Sequence, residues 1–488
     1  MLRLTWVQPE DLLGHELRQA AQDGREPSAI AARWRAAGGP EAPLRAGASP
    51  EPASRYLRQL AEDLLDELAE LPSKLEDSEP TDLEKIKSLC PNWPNVPIRR
   101  SCGQSYRWGG TGGRSGTPQA RASDPAPTAT PTQAGLEAAW LGRAVGCLLG
   151  KPVEKLPLDG IRQLAKSTGN WPLNTYFTGQ GIPIDLATKY PWNRRSAKTS
   201  LAENIDGMPE DDDLNYPLLN LLLLQRHGRT FTTTDVATLW LDELPAGRTF
   251  TAERIAYRNL LTGLEPPRTA RHRNPFREWI GALIRADIHG WTNPGNPAAA
   301  AEQAHKDATL THTANGVYAA MFIAATIATA ATGTGTTDVH TALRTGLTVV
   351  PPTCRLAQAI HHALQLAQTH EDFDTVVDEL HATHARTHHW VHAIPNTALI
   401  AAALTHANGD FTGSICRAVS GGWDTDSNGA TAGSIAALLA GTPSALPDRW
   451  TAPLKNRLST SIADFNGTGF DTLAHLTHAL TPWESSRP

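Results

Sequence analysis

The sequence predicts an all-α protein, on three observations. From about residue 134 to 488 it is a succession of Ala/Leu-rich runs, with apolar residues at helical spacing and turn signals between the runs. Nearer the front, Leu57, Leu60, Leu64, Leu68 and Leu71 recur at intervals of three and four, which places them on one helix face. The period-two alternation of a half-buried strand is nearly absent, so helices packing on helices are the expected architecture.

Three zones follow in chain order. Residues 1–75 read as an N-terminal helical extension. Ser49-Pro50-Glu51 supplies a cap, a first-turn proline and a first-turn acid ahead of the leucine stripe, and Pro72 follows its end. Residues 76–133 read as a low-complexity linker, because 109–116 (GGTGGRSG) and 124–131 (DPAPTATP) have the composition of a mobile spacer. No strand precedes the glycine-rich run and no G-K-[ST] follows, so a phosphate loop is unsupported. An extension joined this way is expected to be dispensable, with a chain beginning near Thr132 keeping catalysis. Residues 134–488 form the main domain, with helices expected over 136–149, 213–227, 317–331, 354–370 and 396–407. No internal repeat stands out.

Bulk properties narrow the class. The chain has 488 residues, long enough for two or three domains, and its 40% hydrophobic and 19% charged content is that of a globular protein. A formal net charge of −6 argues against a nucleic-acid partner. The five cysteines, Cys90, Cys102, Cys147, Cys354 and Cys416, make no C-x-x-C pair. That speaks against a disulfide framework or zinc site and for a reducing compartment. The first nine residues lack the basic and apolar regions of a signal peptide. The apolar stretch from Val317 to about Thr332 is diluted by Thr and short of the roughly 20 residues of a membrane span. A soluble, cytoplasmic protein with no membrane partner is the expectation, and nothing in the sequence sets its oligomeric state.

Chemistry concentrates in two acidic clusters. The first is Met208-Pro-Glu-Asp-Asp-Asp-Leu-Asn-Tyr216, with an apolar run behind it. Alone it reads as a solvated helix start favoured by the dipole. Pro209 and the helix start nevertheless give the backbone a turn, so consecutive carboxylates can converge on one cation. The second is Ser420-Gly-Gly-Trp-Asp-Thr-Asp-Ser-Asn-Gly429, where Asp424 and Asp426 alternate and point the same way in an extended turn, and Ser427 adds a hydroxyl. Alone it reads as an Asx-rich turn. Together the clusters offer hard oxygen ligands and neither thiolate nor imidazole, which selects Mg²⁺, Mn²⁺ or Ca²⁺. They hold more oxygens than one Mg²⁺ usually takes from protein, so a two-metal site fits. His381, His384 and His388 share a helical face, but no carboxylate or Cys completes a ligand set at matching spacing. His392, just before Ile394-Pro-Asn396, is expected to reach the cleft from a helix start. Cys147 reads as a small apolar filler, and no G-x-S-x-G elbow supports serine chemistry.

Three blocks resemble the ADP-ribosylglycohydrolase family, in the family's order. Gly142-Arg-Ala-Val-Gly-Cys-Leu-Leu-Gly-Lys-Pro-Val-Glu154 is similar to its first-helix glycine block ending in P-x-E. Pro209-Glu-Asp-Asp-Asp213 is similar to its T-D-D-T metal motif, and Gly421-Gly-Trp-Asp-Thr-Asp-Ser427 to its G-G-D-T-D-T motif. Asp307-Ala-Thr-Leu-Thr-His-Thr-Ala-Asn315 and Gly441-Thr-Pro-Ser-Ala-Leu-Pro-Asp-Arg-Trp450 resemble two further blocks, so the likeness spans about 136–480 and leaves 1–133 uncovered. The resemblance implies a compact orthogonal multi-helix domain and two Mg²⁺ ions, with Mn²⁺ as substitute, on Glu210, Asp211, Asp212, Asp424, Asp426 and Ser427. The family's threonines are Glu210, Asp213 and Ser427 here, so the ligand register is either Glu210 with Asp211 and Asp212, or those two with Asp213.

The implied reaction is hydrolysis at C1 of an ADP-ribose ribose, through an oxocarbenium-like state. Asp211 or Asp212 would accept the proton of the attacking water and Glu154 would protonate the leaving group. His312 would contact the ribose. Asn428 and Gly429 would contact substrate too, with the diphosphate against the amides of 429–433. Trp423 would alter the pocket rim. The partner is an ADP-ribosylated protein or a small-molecule ADP-ribosyl conjugate. A same-fold hydrolase of a free NAD-derived or nucleoside-like metabolite, a non-catalytic ADP-ribose-binding module and a two-metal phosphoesterase stand as alternatives.

Overall fold

A computed structural model describes residues 3–94, 131–333 and 337–481. Their regular structure is helical, and two isolated bridges, Met208 with Leu458 and Trp279 with His392, are the β pairings among the described residues. The five expected main-domain helices are present as Gln133–Gly150, Asp212–His227, Ala314–Ala330, Arg355–Thr369 and Ala393–His406. Ala314–Ala330 is almost wholly buried inside the domain. No helix among the described residues is long and apolar enough to cross a membrane.

The tightest packing joins the Gln133–Gly150 helix to the Thr425–Ala440 helix, and glycine makes it possible. Gly142 faces Gly433, Gly146 faces Gly429 and Gly150 faces Thr425, so the helices run antiparallel. A Cβ at Gly146 would stand 1.9 Å from the Gly429 carbonyl oxygen, a distance no side chain tolerates. The Thr425 hydroxyl donates to the Gly150 carbonyl at 2.8 Å, which fixes the register. This crossing brings the end of one helix, with Lys151 and Glu154 just beyond it, against the start of the other, with Asp424 and Asp426.

The leucine stripe forms the Arg55–Ala69 helix, with Leu64 and Leu68 fully buried and Leu57 and Leu60 partly so. Its cap is Ser54, which accepts from the Leu57 amide at 3.3 Å. Ser49, the expected cap, instead donates its amide and hydroxyl to the Asp11 carboxylate at 3.0 and 2.5 Å. The segment expected as a linker folds over its described part, where Asp82 caps a Leu83–Leu89 helix. The spacer sequences at 109–116 and 124–130 lie outside the described residues.

The extension docks on the main domain through buried charge. Arg277 pairs with Glu16 at 2.6 Å and with Asp23, and Arg355 pairs with Glu79 at 2.6 Å and Glu278 at 2.8 Å. Gln19 donates to Glu278 at 2.7 Å, and Asn315 donates to Glu79 at 2.7 Å. Leu12, Leu13, Trp34 and Leu64 belong to the same hydrophobic core as the main-domain helices.

Candidate active site

A cavity of about 580 Å³ opens where the glycine crossing ends, between the starts of the Asp212–His227, Thr251–Leu261 and Thr425–Ala440 helices. Glu154, Glu210, Asp211, Asp212, Asp424, Asp426 and Ser427 all line it. The two acidic clusters, about 200 positions apart in the chain, therefore share one space.

Each carboxylate is placed by its element. Asp211 is the cap of the Asp212–His227 helix, accepting from the Asp213 amide at 3.0 Å, and Asp212 begins its first turn. Asp424 caps the Thr425–Ala440 helix and Asp426 sits in that helix's first turn. The expected extended D-x-D turn is thus a cap followed by helix. Even so, Asp424, Asp426 and Glu154 bring carboxylate oxygens within 4.8 Å of one another. Glu154 is held by Asn193, whose amide donates at 2.5 Å, and by Lys155 at 2.9 Å.

The alternative registers of the first cluster resolve into distinct partners. Asp213 is buried and paired with Arg143 at 3.3 Å, and Arg143 also holds the Asp213 carbonyl at 2.7 Å and Asp287 at 2.9 Å. Glu210 turns both oxygens outward, one to Arg248 at 2.7 Å and the other to the Ser461 hydroxyl. Asp211 receives the Lys151 ammonium.

These environments separate the acids. Burial would raise the Asp211 carboxyl, but the Lys151 charge and hydrogen bond hold it below the usual carboxylate value. Burial, reinforced by Asp211, Asp213, Asp424 and Glu154, pushes Asp212 well up. Burial and then Glu154 raise Asp424 to about 7, and the same two causes push Asp426 well above the ordinary value. Four nearby cations are paired with other acids, Lys151 with Asp211, Lys155 with Glu154, Arg143 with Asp213 and Arg248 with Glu210, and Arg195 lies over the Phe250 ring. Asp212, Asp424 and Asp426 form no ion pair among the described residues. Crowded carboxylates without a counter-charge, offering oxygen donors alone, fit a hard divalent cation. A second set, Asp211 and Asp213 around Cys147, does not: burial pushes that thiol up so that it is no thiolate, and Lys151 and Arg143 already neutralise the acids.

Other expected contacts do not reach the cavity. His312 is fully buried, with Nδ1 2.6 Å from the Thr311 hydroxyl, and is not part of the lining. Asn428 is also buried and donates to Asn396 Oδ1 at 2.7 Å, while the same Asn396 oxygen accepts from the Asp424 amide at 3.1 Å. Asn428 therefore shapes the Asp424 turn and does not face a ligand. Gly429 and Gly433 are consumed by the helix crossing, which leaves no room for a diphosphate against them. Trp423, at φ 59, turns away from the cavity and stacks on His381 with ring centroids 4.2 Å apart. His392 is fully buried beside Glu278, 3.9 Å from it, and does not line the cleft either.

Residues the sequence reading passed over complete the site. Lys151 and Arg143 stand inside the glycine block, where a cation beside an all-small helix face was a usable signal. Asn396, Arg248 and Ser461 gave no such signal. Neither did Trp6, from the N-terminal extension, which lines the same cavity.

A family model described as ADP-ribosylglycohydrolase matches residues 130–484. A solved structure described as an "ADP-ribosylglycohydrolase-related protein complex" is similar at 22% identity, covering 71% of this chain and 97% of its own, with a TM-score of 0.44. A search of curated proteins returns no match. With most of its length accounted for by that family model, and its two acidic clusters gathered in one cavity, the chain belongs to the ADP-ribosylglycohydrolase family.

Proposed function

We propose that this chain is a magnesium-dependent hydrolase that cleaves the glycosidic bond at C1 of an ADP-ribose ribose. The observation that carries this reading is the group of uncompensated carboxylates, Asp212, Asp424 and Asp426, packed with Asp211, Glu154 and Ser427 around one cavity. Asp212, Asp424, Asp426 and Ser427 would hold two ions; Asp211 would join them by loosening its pair with Lys151, and Glu210 only by leaving Arg248 and Ser461. When bound, such ions supply Lewis acidity toward ribose hydroxyls and a nucleophilic water.

The protein's own groups divide the remaining work. Lys151 keeps Asp211 ionised and fixed at the helix cap. Either Asp211 or Asp212 would accept the water's proton, and Asp212 is the one of the two that forms no ion pair among the described residues. Glu154, facing Asp424 and Asp426 and steadied by Asn193, is the candidate acid for the leaving group. The glycine amides near Gly429 are unavailable to the diphosphate, so Arg195 and Lys155 on the cavity lining take that part.

The test is a panel of ADP-ribosylated proteins and small-molecule conjugates, incubated with Mg²⁺ or with a chelator and read by mass spectrometry. Free ADP-ribose released only with Mg²⁺, and restored by Mn²⁺, is the expected result. Full activity after exhaustive chelation would sink the metal assignment. Inorganic phosphate as product would make the chain a phosphoesterase, and binding without turnover a recognition module.

A further inference from the structure

Trp6 belongs to the extension, more than 100 residues ahead of the family match, yet its side chain lines the catalytic cavity. Its position is fixed from several directions. Its backbone stands at φ 64, and its amide donates to the Gly47 carbonyl at 2.5 Å. Gly47 lies flat on the indole, where a Cβ would come within 2.6 Å of the ring. Arg254 donates to the Thr5 carbonyl at 3.0 Å and the Thr5 hydroxyl at 2.8 Å, tying the segment before Trp6 to the helix whose start lines the cavity. Phe276 and Trp279 meet the indole edge-on, at 5.5 and 5.8 Å. Trp6 as a whole is 7% exposed, and it is one of the residues that line the cavity.

A left-handed backbone at a tryptophan is costly and persists only where its surroundings enforce it. Here the enforcement holds an aromatic residue on the wall of a cavity that Phe250 and Trp390 also line, among largely charged and polar groups. An aromatic wall of that kind gains most from a flat, unsaturated ring laid against it.

We infer that the N-terminal extension is part of the active site, and that Trp6 selects substrates carrying a planar ring, either the nucleobase or the leaving group at C1. The inference rests on the hydrolase reading above and deepens it by naming what the substrate must carry.

The experiment measures binding, so it needs no turnover. Full-length wild type, Trp6→Leu, Trp6→Phe and Arg254→Met are titrated calorimetrically in Mg²⁺ buffer with three ligands. ADP-ribose carries the nucleobase without a leaving group, nicotinamide mononucleotide carries a leaving ring without the nucleobase, and ribose 5-phosphate carries neither. Trp6→Leu should weaken one ring-bearing ligand about tenfold while leaving ribose 5-phosphate unchanged. Trp6→Phe should recover most of that loss. Arg254→Met, which frees Thr5 but keeps the indole, should show a smaller loss of the same pattern and serves if Trp6→Leu does not fold. Whichever ring-bearing ligand responds identifies the ring. Equal affinities across the variants, or equal losses for all three ligands, would overturn the inference alone. A wild type that binds none of the three removes the hydrolase reading and this inference with it.

Discussion

The glycine crossing and the seam between extension and main domain both end at the same cavity, and they are made differently. At the crossing, two backbones touch through Gly142, Gly146, Gly429 and Gly433, and no side chain intervenes. At the seam, long charged side chains, Arg277 and Arg355 against Glu16, Glu79 and Glu278, span the gap inside the protein. The first tolerates no added atom, and the second tolerates no missing partner. A backbone contact fails by overpacking, whereas a buried ion pair fails by leaving a charge unpaired.

The largest effect should come from removing the seam altogether. A chain starting at Thr132 uncovers Glu278, Arg277 and Arg355, removes Leu12 and Leu64 from the shared core, and deletes Trp6. It should be insoluble or inactive, reversing the expectation from linker composition, and residues 1–94 supplied in trans should restore activity. A soluble, fully active truncation would dissolve the comparison.

Next is the crossing itself. Gly146→Ala drives a methyl into the Gly429 carbonyl, so the helices must part and the clustered carboxylates must move. Urea unfolding should show a loss of about 3 kcal/mol with activity falling at least as steeply. Gly247→Ala, with open space around it, should change stability by less than about 0.5 kcal/mol. Comparable small losses at both positions would mean the crossing is softer than its distances imply.

Arg355→Met tests the seam at one residue. It leaves Glu79 and Glu278 buried side by side without their cation, at a cost of about 3 kcal/mol. Adding Glu79→Gln to that variant should recover part of the loss, because one stranded charge disappears. If the double variant is no better than the single, the charges are not what the seam depends on.

The smallest effect concerns protons at the seam. His15 is packed among the rings of Trp6, Phe276, Trp279 and His389, and burial, with a lesser push from Arg18, lowers it to about 3. The unfolded chain takes up a proton near pH 6.5 and the folded one does not. The stability this contributes is complete above that pH and declines as pH falls toward 3, by about 2 kcal/mol at pH 5. His15→Phe lacks the term, so wild type should lose ground to the variant between pH 7 and pH 5. A gap that stays constant with pH would show that His15 titrates normally.

The same contrast explains what the sequence disclosed. The five long helices and both acidic clusters are local signals, an apolar period or a run of carboxylates, readable without knowing what they face. The glycines at positions 142, 146 and 150 were visible as a block, but their partners were not, so Gly429 passed for a ligand contact when it is a helix contact. His312 and Asn428 lie off the cavity lining for a related reason: a polar residue near a motif can serve the motif's shape as well as its ligand, and pattern does not distinguish the two. Trp6 was out of reach, because its role is set by Gly47, Arg254 and Trp279, none of which marks it from a distance.

The placement of Trp6 also orders events during synthesis. The indole leaves the ribosome first among the residues that line the cavity, and Ser427 leaves last, about 420 residues later. At roughly 5–20 residues per second, that interval is about 20 seconds to a minute and a half. For much of it, Glu16 has no Arg277 and Glu79 has no Arg355. The extension must therefore be kept soluble as an unfinished surface while the rest is made. An enzyme whose first buried acids wait on arginines made more than 250 residues later is assembled by closure rather than by accretion, and its folding is exposed to failure at every pause between the two.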